Sequence, residues 1–143
     1  MRLIFLGDVV GKSGRDAVAR ELPLLRERFK HDIVVVNGEN AAHGFGISQD
    51  IHQKLLGCGA DVVTLGNHAF DQRETLVFIE REPNLIRPLN WPAGCPGRGT
   101  CMVETAKVQR VLLMKAMGRV MIEAMLDDPF PAVGKKLVQS LLG

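Results

Sequence analysis

Few cysteines, little net charge and no long apolar run remove several classes of protein at the outset. Cys58, Cys95 and Cys101 are odd in number and not in C-x-x-C spacing. That excludes a disulfide framework and a zinc knuckle, and the three read as reduced, structural thiols. A net charge of +2 is too small to make nucleic acid or an anionic membrane the main partner. The basic residues are scattered, with Lys135-Lys136 the one basic pair, as on a solvated surface. No apolar stretch approaches the roughly 18 residues needed to cross a bilayer. The amino terminus opens directly on a strand pattern, with no signal-peptide core before a cleavage site, so a cytoplasmic location is expected. Linkers, internal repeats and low-complexity tracts are missing as well. Histidine is confined to positions 31, 43, 52 and 68, leaving no imidazole beyond residue 68.

What remains is an ordinary globular composition, 46% hydrophobic and 24% charged over 143 residues, enough for one domain with a buried core. Three apolar runs in it each end in a cluster of oxygen and nitrogen ligands. Leu3-Ile4-Phe5-Leu6 leads into Gly7-Asp8, and Ile33-Val34-Val35-Val36 into Asn37-Gly38-Glu39-Asn40. Val62-Val63-Thr64-Leu65 leads into Gly66-Asn67-His68. Asp8 and Glu39 are 31 residues apart, and Glu39 and Asn67 are 28 apart, about one strand-helix repeat. Parallel neighbouring strands at that spacing bring all three clusters to one edge of a sheet, beyond the carboxyl ends, where open α/β sheets bind ligands.

The stretches between the runs read as helices. Ser13 with Asp16 three residues on predicts a capped helix whose face carries Val18, Leu22, Leu25 and Phe29, kinked or broken at Pro23. Ser48 predicts the cap of a second helix, with Ile51, Leu55 and Leu56 on it and Gly57 as its stop. Asp71 and Glu74 form a capping-box pattern for a third, ending at Pro83. Together these make a βαβ pattern and a parallel sheet. Beyond it, Leu85-Ile86-Arg87 reads as a short strand, and Pro88 to Gly99, with three prolines and three glycines, as an extended loop. Residues 101–103 and 108–114 suggest a hairpin. Pro129 and Pro131 introduce a last helix carrying Val133, Leu137 and Leu141.

Asp8, Glu39, Asn40 and Asn67 are hard oxygen donors that could converge on cations, and a carboxylate such as Glu39 can bridge two metals in phosphoester hydrolysis. His68, next to Asn67, could act as a general acid or stabilise charge on phosphate. Taken singly, each has a plainer reading: Asp8 as a turn or cap residue, Asn37 and Asn40 as turn residues around Gly38, His68 as a structural histidine. Their joint placement at the ends of in-phase runs favours the site. Gly44 and Gly46 suggest a tight loop over the same edge, of a kind that lets backbone N–H groups approach a phosphate, although composition alone fits a bare turn equally well. A rival class comes from Gly7 to Ser13, which follows a strand and opens a helix like a P-loop. That loop needs four residues between its glycine pair, and here there are three.

The strings Gly7-Asp8-Val9-Val10-Gly11, Asn37-Gly38-Glu39-Asn40-Ala41-Ala42 and Gly66-Asn67-His68-Ala69-Phe70-Asp71 together resemble those of the YmdB-like metallophosphoesterases. The likeness continues in Arg87 to Pro92, Pro96 to Gly99, Met117 to Val120 and Asp127 to Phe130, and so spans nearly the whole chain. It implies an α/β, layered calcineurin-like metallophosphoesterase fold, of which residues 1–143 would form a single, partial domain. The amino-terminal βαβαβ half would be present and the carboxyl-terminal half missing. The resemblance further implies a dinuclear centre, with Asp8 and Asn40 on one metal, Glu39 bridging, Asn67 on the second, and His68 as proton donor. Iron is the implied metal, with manganese or magnesium as substitutes, and the implied substrates are small phosphodiesters such as 2′,3′-cyclic nucleotides or cAMP.

One departure qualifies that implication. The family carries further histidines in a second half, in Phe-His-Ala-Glu and Gly-Thr-His-Thr-His strings, and this sequence stops before them. The oxygen donors that remain should hold Mg²⁺ or Mn²⁺ loosely and lose preference for iron or zinc. Weak or absent hydrolysis by the isolated chain is expected, as is self-association through a sheet edge that the missing half would cover. A non-catalytic remnant that binds metal, nucleotide or a partner protein is the competing reading.

Overall fold

In the computed structural model, which describes residues 1–142, the three apolar runs become parallel strands. β1 (Leu3–Leu6), β2 (Ile33–Asn37), β3 (Val62–Thr64) and β4 (Leu85–Ile86) form one sheet in that spatial order. The register pairs Leu6 with Val36 and Asn37 with Thr64, so the loops after the first three strands leave together. β2 is the centre, buried at all five positions, as an unbroken apolar run in a doubly covered parallel strand should be. Helices α1 (Gly11–Phe29) and α2 (Gln49–Gly57) supply Val18, Leu22, Ile51 and Leu55 to a core with Val34, Val36 and Val63. The opposite face buries Ile33, Val35, Val62 and Ile86. It is covered by an antiparallel hairpin of β5 (Thr100–Glu104) and β6 (Arg110–Met114), through Cys101, Val103, Val111 and Leu113. No helix among the described residues is long and apolar enough to cross a membrane.

Several local expectations hold. Ser48 Oγ accepts from the Ile51 amide at 3.2 Å, and α2 ends at Gly57. Residues 88–99 form an extended loop organised by Arg87, whose buried guanidinium donates to the carbonyls of Pro88, Cys95 and Pro96. Asn90 pins that loop to the chain beyond the hairpin, donating to the carbonyls of Met117 and Asp127. The cysteines are unpaired and half-buried, and burial pushes the Cys101 thiol up, away from reactivity.

Others do not hold, for identifiable reasons. α1 starts at Gly11 and not after Ser13, with no side-chain cap, because the Gly11 amide is already satisfied by the Asn40 carbonyl at 2.9 Å. Pro23 lies on the exposed side of α1 and the helix runs through it unbroken. The capping box at Asp71 and Glu74 does not form. The third helix is only α3 (Thr75–Phe78) followed by a 3₁₀ turn to Arg81, and Asp71 is turned to His68 instead. Thr75 is the anchor there, fully buried and donating to the Ile47 carbonyl at 2.8 Å. The last helix, α4 (Pro129–Leu142), leaves much of its apolar stripe uncovered, with Leu141 84% exposed.

Two stability tests follow. Replacing Pro23 restores an N–H donor in the middle of α1, so Pro23→Ala should raise unfolding free energy by about 1–3 kcal/mol in urea titration. His52 is fully buried against Phe78, with neither ring nitrogen hydrogen-bonded. Burial holds its pKa below the usual 6.5, against a weaker upward pull from Glu82. The unfolded chain therefore takes up the proton first as pH falls. The stability in question is complete above pH 6.5 and drains away below it, at no more than about 1.4 kcal/mol per pH unit. Urea midpoints at pH 7.5 and 5.5 should diverge, and His52→Phe should remove that part of the difference.

Candidate functional site

The three loops are stitched together by backbone before any side chain is considered. Val9 donates to the Asn37 carbonyl (3.0 Å), Gly11 to that of Asn40 (2.9 Å) and Gly38 to that of Thr64 (3.0 Å). Those bonds consume the amides of Val9 and Gly11, which a phosphate cradle at Gly7 to Ser13 would need. Lys12 lies in the first turn of α1, paired with Asp16 at 2.5 Å. This geometry disfavours the P-loop reading.

Asp8 sits at the end of β1 with φ of 46°, a left-handed conformation that costs a non-glycine residue energy and is concentrated at functional sites. Its Oδ1 accepts from Asn40 Nδ2 at 2.5 Å, so the first and second clusters meet side chain to side chain. The second and third meet through Glu39. A methyl group at position 66 would overlap Glu39 Oε2, so only glycine lets the carboxylate lie against the backbone at the end of β3. Asn37 fixes that carboxylate, donating from Nδ2 to Glu39 Oε1 (3.1 Å) while its Oδ1 accepts from the Glu39 amide (3.2 Å). Oε2 is buried with no hydrogen-bond partner, which is costly for a carboxylate unless something outside the protein satisfies it.

Asn67 and His68 line a neighbouring cavity of about 640 Å³ with Phe45, Asp71, Trp91 and the segment 121–124, large enough for a nucleotide-sized ligand. His68 Nδ1 lies 2.6 Å from Asp71 Oδ2, which orients the ring and leaves Nε2 as the nitrogen free for proton exchange. Phe45 packs edge-on against it, with ring centroids 5.5 Å apart. The glycine loop puts Phe45 there: Gly44 and Gly46 adopt φ of 91° and 76°, and Gly46 lies so close to the His68 carbonyl that a Cβ would not fit.

The structure thus joins Asp8 to Asn40 directly and sets Glu39 against the loop that carries Asn67. Asn67 and His68 face the cavity, whereas Asp8 opens on a separate groove beside β1. The donors fit a hard divalent cation in kind, being carboxylate and amide oxygens. Among the described residues, no group of three or more His, Cys, Asp or Glu side chains comes together, so the set is oxygen-dominated and short. Two contributors were not legible as such in the sequence. Asn37 looked like a plain turn residue, although its Asx-turn geometry is what aims Glu39, and Asp71 looked like a helix cap.

Known proteins match this chain over most of its length. A family model described as YmdB-like protein fits residues 4–141. Over 130 residues the chain is 44% identical to the 2′,3′-cyclic-nucleotide 2′-phosphodiesterase of Bacillus subtilis (strain 168), covering 91% of this chain and 48% of that protein. Among solved structures, a hypothetical protein from Thermus thermophilus superposes with a TM-score of 0.90 at 41% identity, covering 97% of this chain and 53% of that one. A novel phosphatase from Mycoplasma pneumoniae superposes with a TM-score of 0.86 at 30% identity, covering 96% and 50%. The fold is α/β, of the calcineurin-like phosphoesterase kind. The match spans between about a third and a half of the length of the curated relatives, 48% of the Bacillus subtilis protein and 32% of a putative phosphatase/phosphodiesterase of Mycoplasma genitalium. With the family model matching nearly end to end, this chain belongs to the YmdB-like family.

Proposed function

We propose that this chain forms the oxygen-donor half of a metal-dependent phosphodiesterase site. It would bind Mn²⁺ or Mg²⁺ through Asp8, Glu39, Asn40 and Asn67, and recognise small phosphodiesters of the 2′,3′-cyclic-nucleotide class. The observation that carries this reading is Glu39 Oε2, a buried carboxylate oxygen that no protein group satisfies, held in place by Asn37 and admitted by the bare backbone of Gly66. The Bacillus subtilis relative's name supplies the substrate class. Bound divalent cations supply Lewis-acid polarisation of a phosphoryl oxygen. The chain's own residues do the remainder. Asp8 and Asn40 brace each other, Asn37 aims Glu39, and His68, tethered at Nδ1 by Asp71, can deliver a proton from Nε2 to a leaving oxygen. Oxygen donors alone favour manganese and magnesium over the iron that the resemblance implies.

A second reading is favoured by one observation: among the described residues no group of three or more acid, thiol or imidazole side chains comes together to hold a metal ion. On that reading the chain binds metal and ligand without turnover.

Mn²⁺ titration followed by electron paramagnetic resonance tests the site. Binding should be lost in Asp8→Ala and Glu39→Ala and kept in Lys12→Ala. In Asn37→Ala the affinity should fall roughly 10–100-fold, as for loss of a group that orients a metal ligand. Retention of binding in both acid variants would refute the assignment. With bis-p-nitrophenyl phosphate, weak or no Mn²⁺-dependent turnover is expected of the isolated chain. Brisk turnover abolished by Asp8→Ala would instead show the site to be complete as it stands.

A further inference from the structure

Phe45 is an apolar ring held out of the core by a loop bonded on every side. It is 58% exposed, although Ala42 and Ile47 in the same loop are buried. Its amide donates to the Ala42 carbonyl at 3.0 Å, and its own carbonyl accepts from Gln72 Nε2 at 2.6 Å. The adjacent Gly46 amide donates to the Glu39 carbonyl at 2.7 Å, which ties the ring's position to the residue bearing the buried carboxylate. Leaving a phenyl ring in water forfeits the gain of burying it, and here the ring is left there at a fixed place. That place is the wall of the 640 Å³ cavity that also takes in Asn67, His68 and Trp91. Trp91, the one tryptophan of the chain, is braced edge-on by Phe70, with ring centroids 5.0 Å apart. The remaining wall, residues 121–124, is fixed at its ends by Asn90. The Met117 amide donates to Asn90 Oδ1 at 3.0 Å, and the Asp127 amide to the Asn90 carbonyl at 2.8 Å.

A cavity with a polar end at Asn67 and His68 and aromatic rings beside it suits a ligand built of the same two parts. In a ribonucleoside 2′,3′-cyclic phosphate, the phosphorus and the base hang from one sugar ring. With the phosphate at His68, the base must lie close by. The Phe45 ring is there, its centroid 5.5 Å from that of His68 and its plane nearly perpendicular, at 87°. A perpendicular contact covers at most one face of the Phe45 ring, and the exposure of the residue leaves ring surface open to the cavity. We propose that Phe45 is the stacking platform for the base of a nucleotide whose cyclic phosphate lies at Asn67 and His68. Trp91 forms a second aromatic wall of the same subsite. Stacking tolerates any base, because every base has a π face. The subsite therefore selects a nucleotide over a phosphodiester without a base, and does not choose strongly among bases. The proposal rests on the phosphodiesterase reading and adds to it the part of the substrate that a bare phosphodiester lacks.

Trp91 supplies the readout, because a ligand entering the cavity should change the emission of the chain's one indole. The full 143-residue chain with Mg²⁺ should be titrated with adenosine 2′,3′-cyclic phosphate, with adenosine, and with methyl riboside 2,3-cyclic phosphate, which has no base. Calorimetry checks the affinities. The nucleotide should bind roughly tenfold more tightly than the ester without a base. Phe45→Ala should remove that advantage and leave the affinity for the baseless ester unchanged. Phe45→Tyr should keep the advantage, whereas Phe45→Leu, apolar but without a π face, should lose it. Because Phe45 lies outside the core, these variants leave the packing of the fold intact. Adenosine alone should bind, more weakly in Phe45→Ala and equally well in Asp8→Ala. If Asp8→Ala also leaves the cyclic phosphates unaffected, the metal reading fails, and the adenosine comparison still decides the platform. Equal affinities for the esters with and without a base, an advantage that survives Phe45→Ala, or no binding of adenosine and its cyclic phosphate would each overturn the proposal.

Discussion

Everything at the carboxyl edge of this sheet depends on one close approach, the carboxylate of Glu39 lying against the backbone of Gly66. The approach needs three conditions at once. β2 and β3 must be parallel and in the register that pairs Asn37 with Thr64. Residue 66 must lack a Cβ. Asn37 must hold the carboxylate in place. A register slip of one residue would turn the side chains of β2 to the opposite faces and bury Val35 where Val36 belongs. The same continuous apolar packing that stabilises β2 therefore fixes where Glu39 emerges, and the core and the site share one geometric determinant.

The loops around that contact spend their backbone on each other. With the amides of Val9, Gly11 and Gly38 bonded across loops, what faces outward is side-chain oxygen and not a ring of N–H donors. That distinction separates this edge from a phosphate cradle, which resembles it at sequence level, and it suits the edge to a cation in place of a bare anion. The left-handed backbone at Asp8 belongs to the same arrangement. The cost of that conformation is borne where it turns the carboxylate toward Asn40, and the cross-loop bonds of Val9 and Gly11 hold it there.

Much of this was legible in the residues because it rests on period and spacing. Unbroken runs such as Ile33 to Val36 mark buried parallel strands, and intervals near 30 residues between Asp8, Glu39 and Asn67 mark strand-helix repeats. The sheet order and the shared edge follow from those. What was not legible depended on competition between local and distant partners. Ser13 is a good cap by composition, but the Asn40 carbonyl reaches Gly11 first. Asp71 and Glu74 spell a capping box, yet His68 claims Asp71 and Thr75 is drawn inward by Ile47. Pro23 should break a helix, but it sits on the solvent side, where Val18 and Leu22 hold the turns around it against the core. Short motifs state what a residue can bond to, and the tertiary fold decides which bond forms.

The two incomplete features of the molecule lie on the same side. The second layer falls short over β1, leaving Phe5 exposed, and the oxygen donors fall short at the carboxyl ends of β1 and β2, which lead into Asp8 and Glu39. If the bare strip were merely a tolerant surface, nothing would require it to adjoin the site, and apolar exposure could as well have fallen over β4. There the hairpin side is closed instead, with Ile86 1% exposed and bridged to Arg98. The exposure of Phe5 is therefore set by the width of the two-stranded layer, which closes over β2, β3 and β4 and stops short of β1.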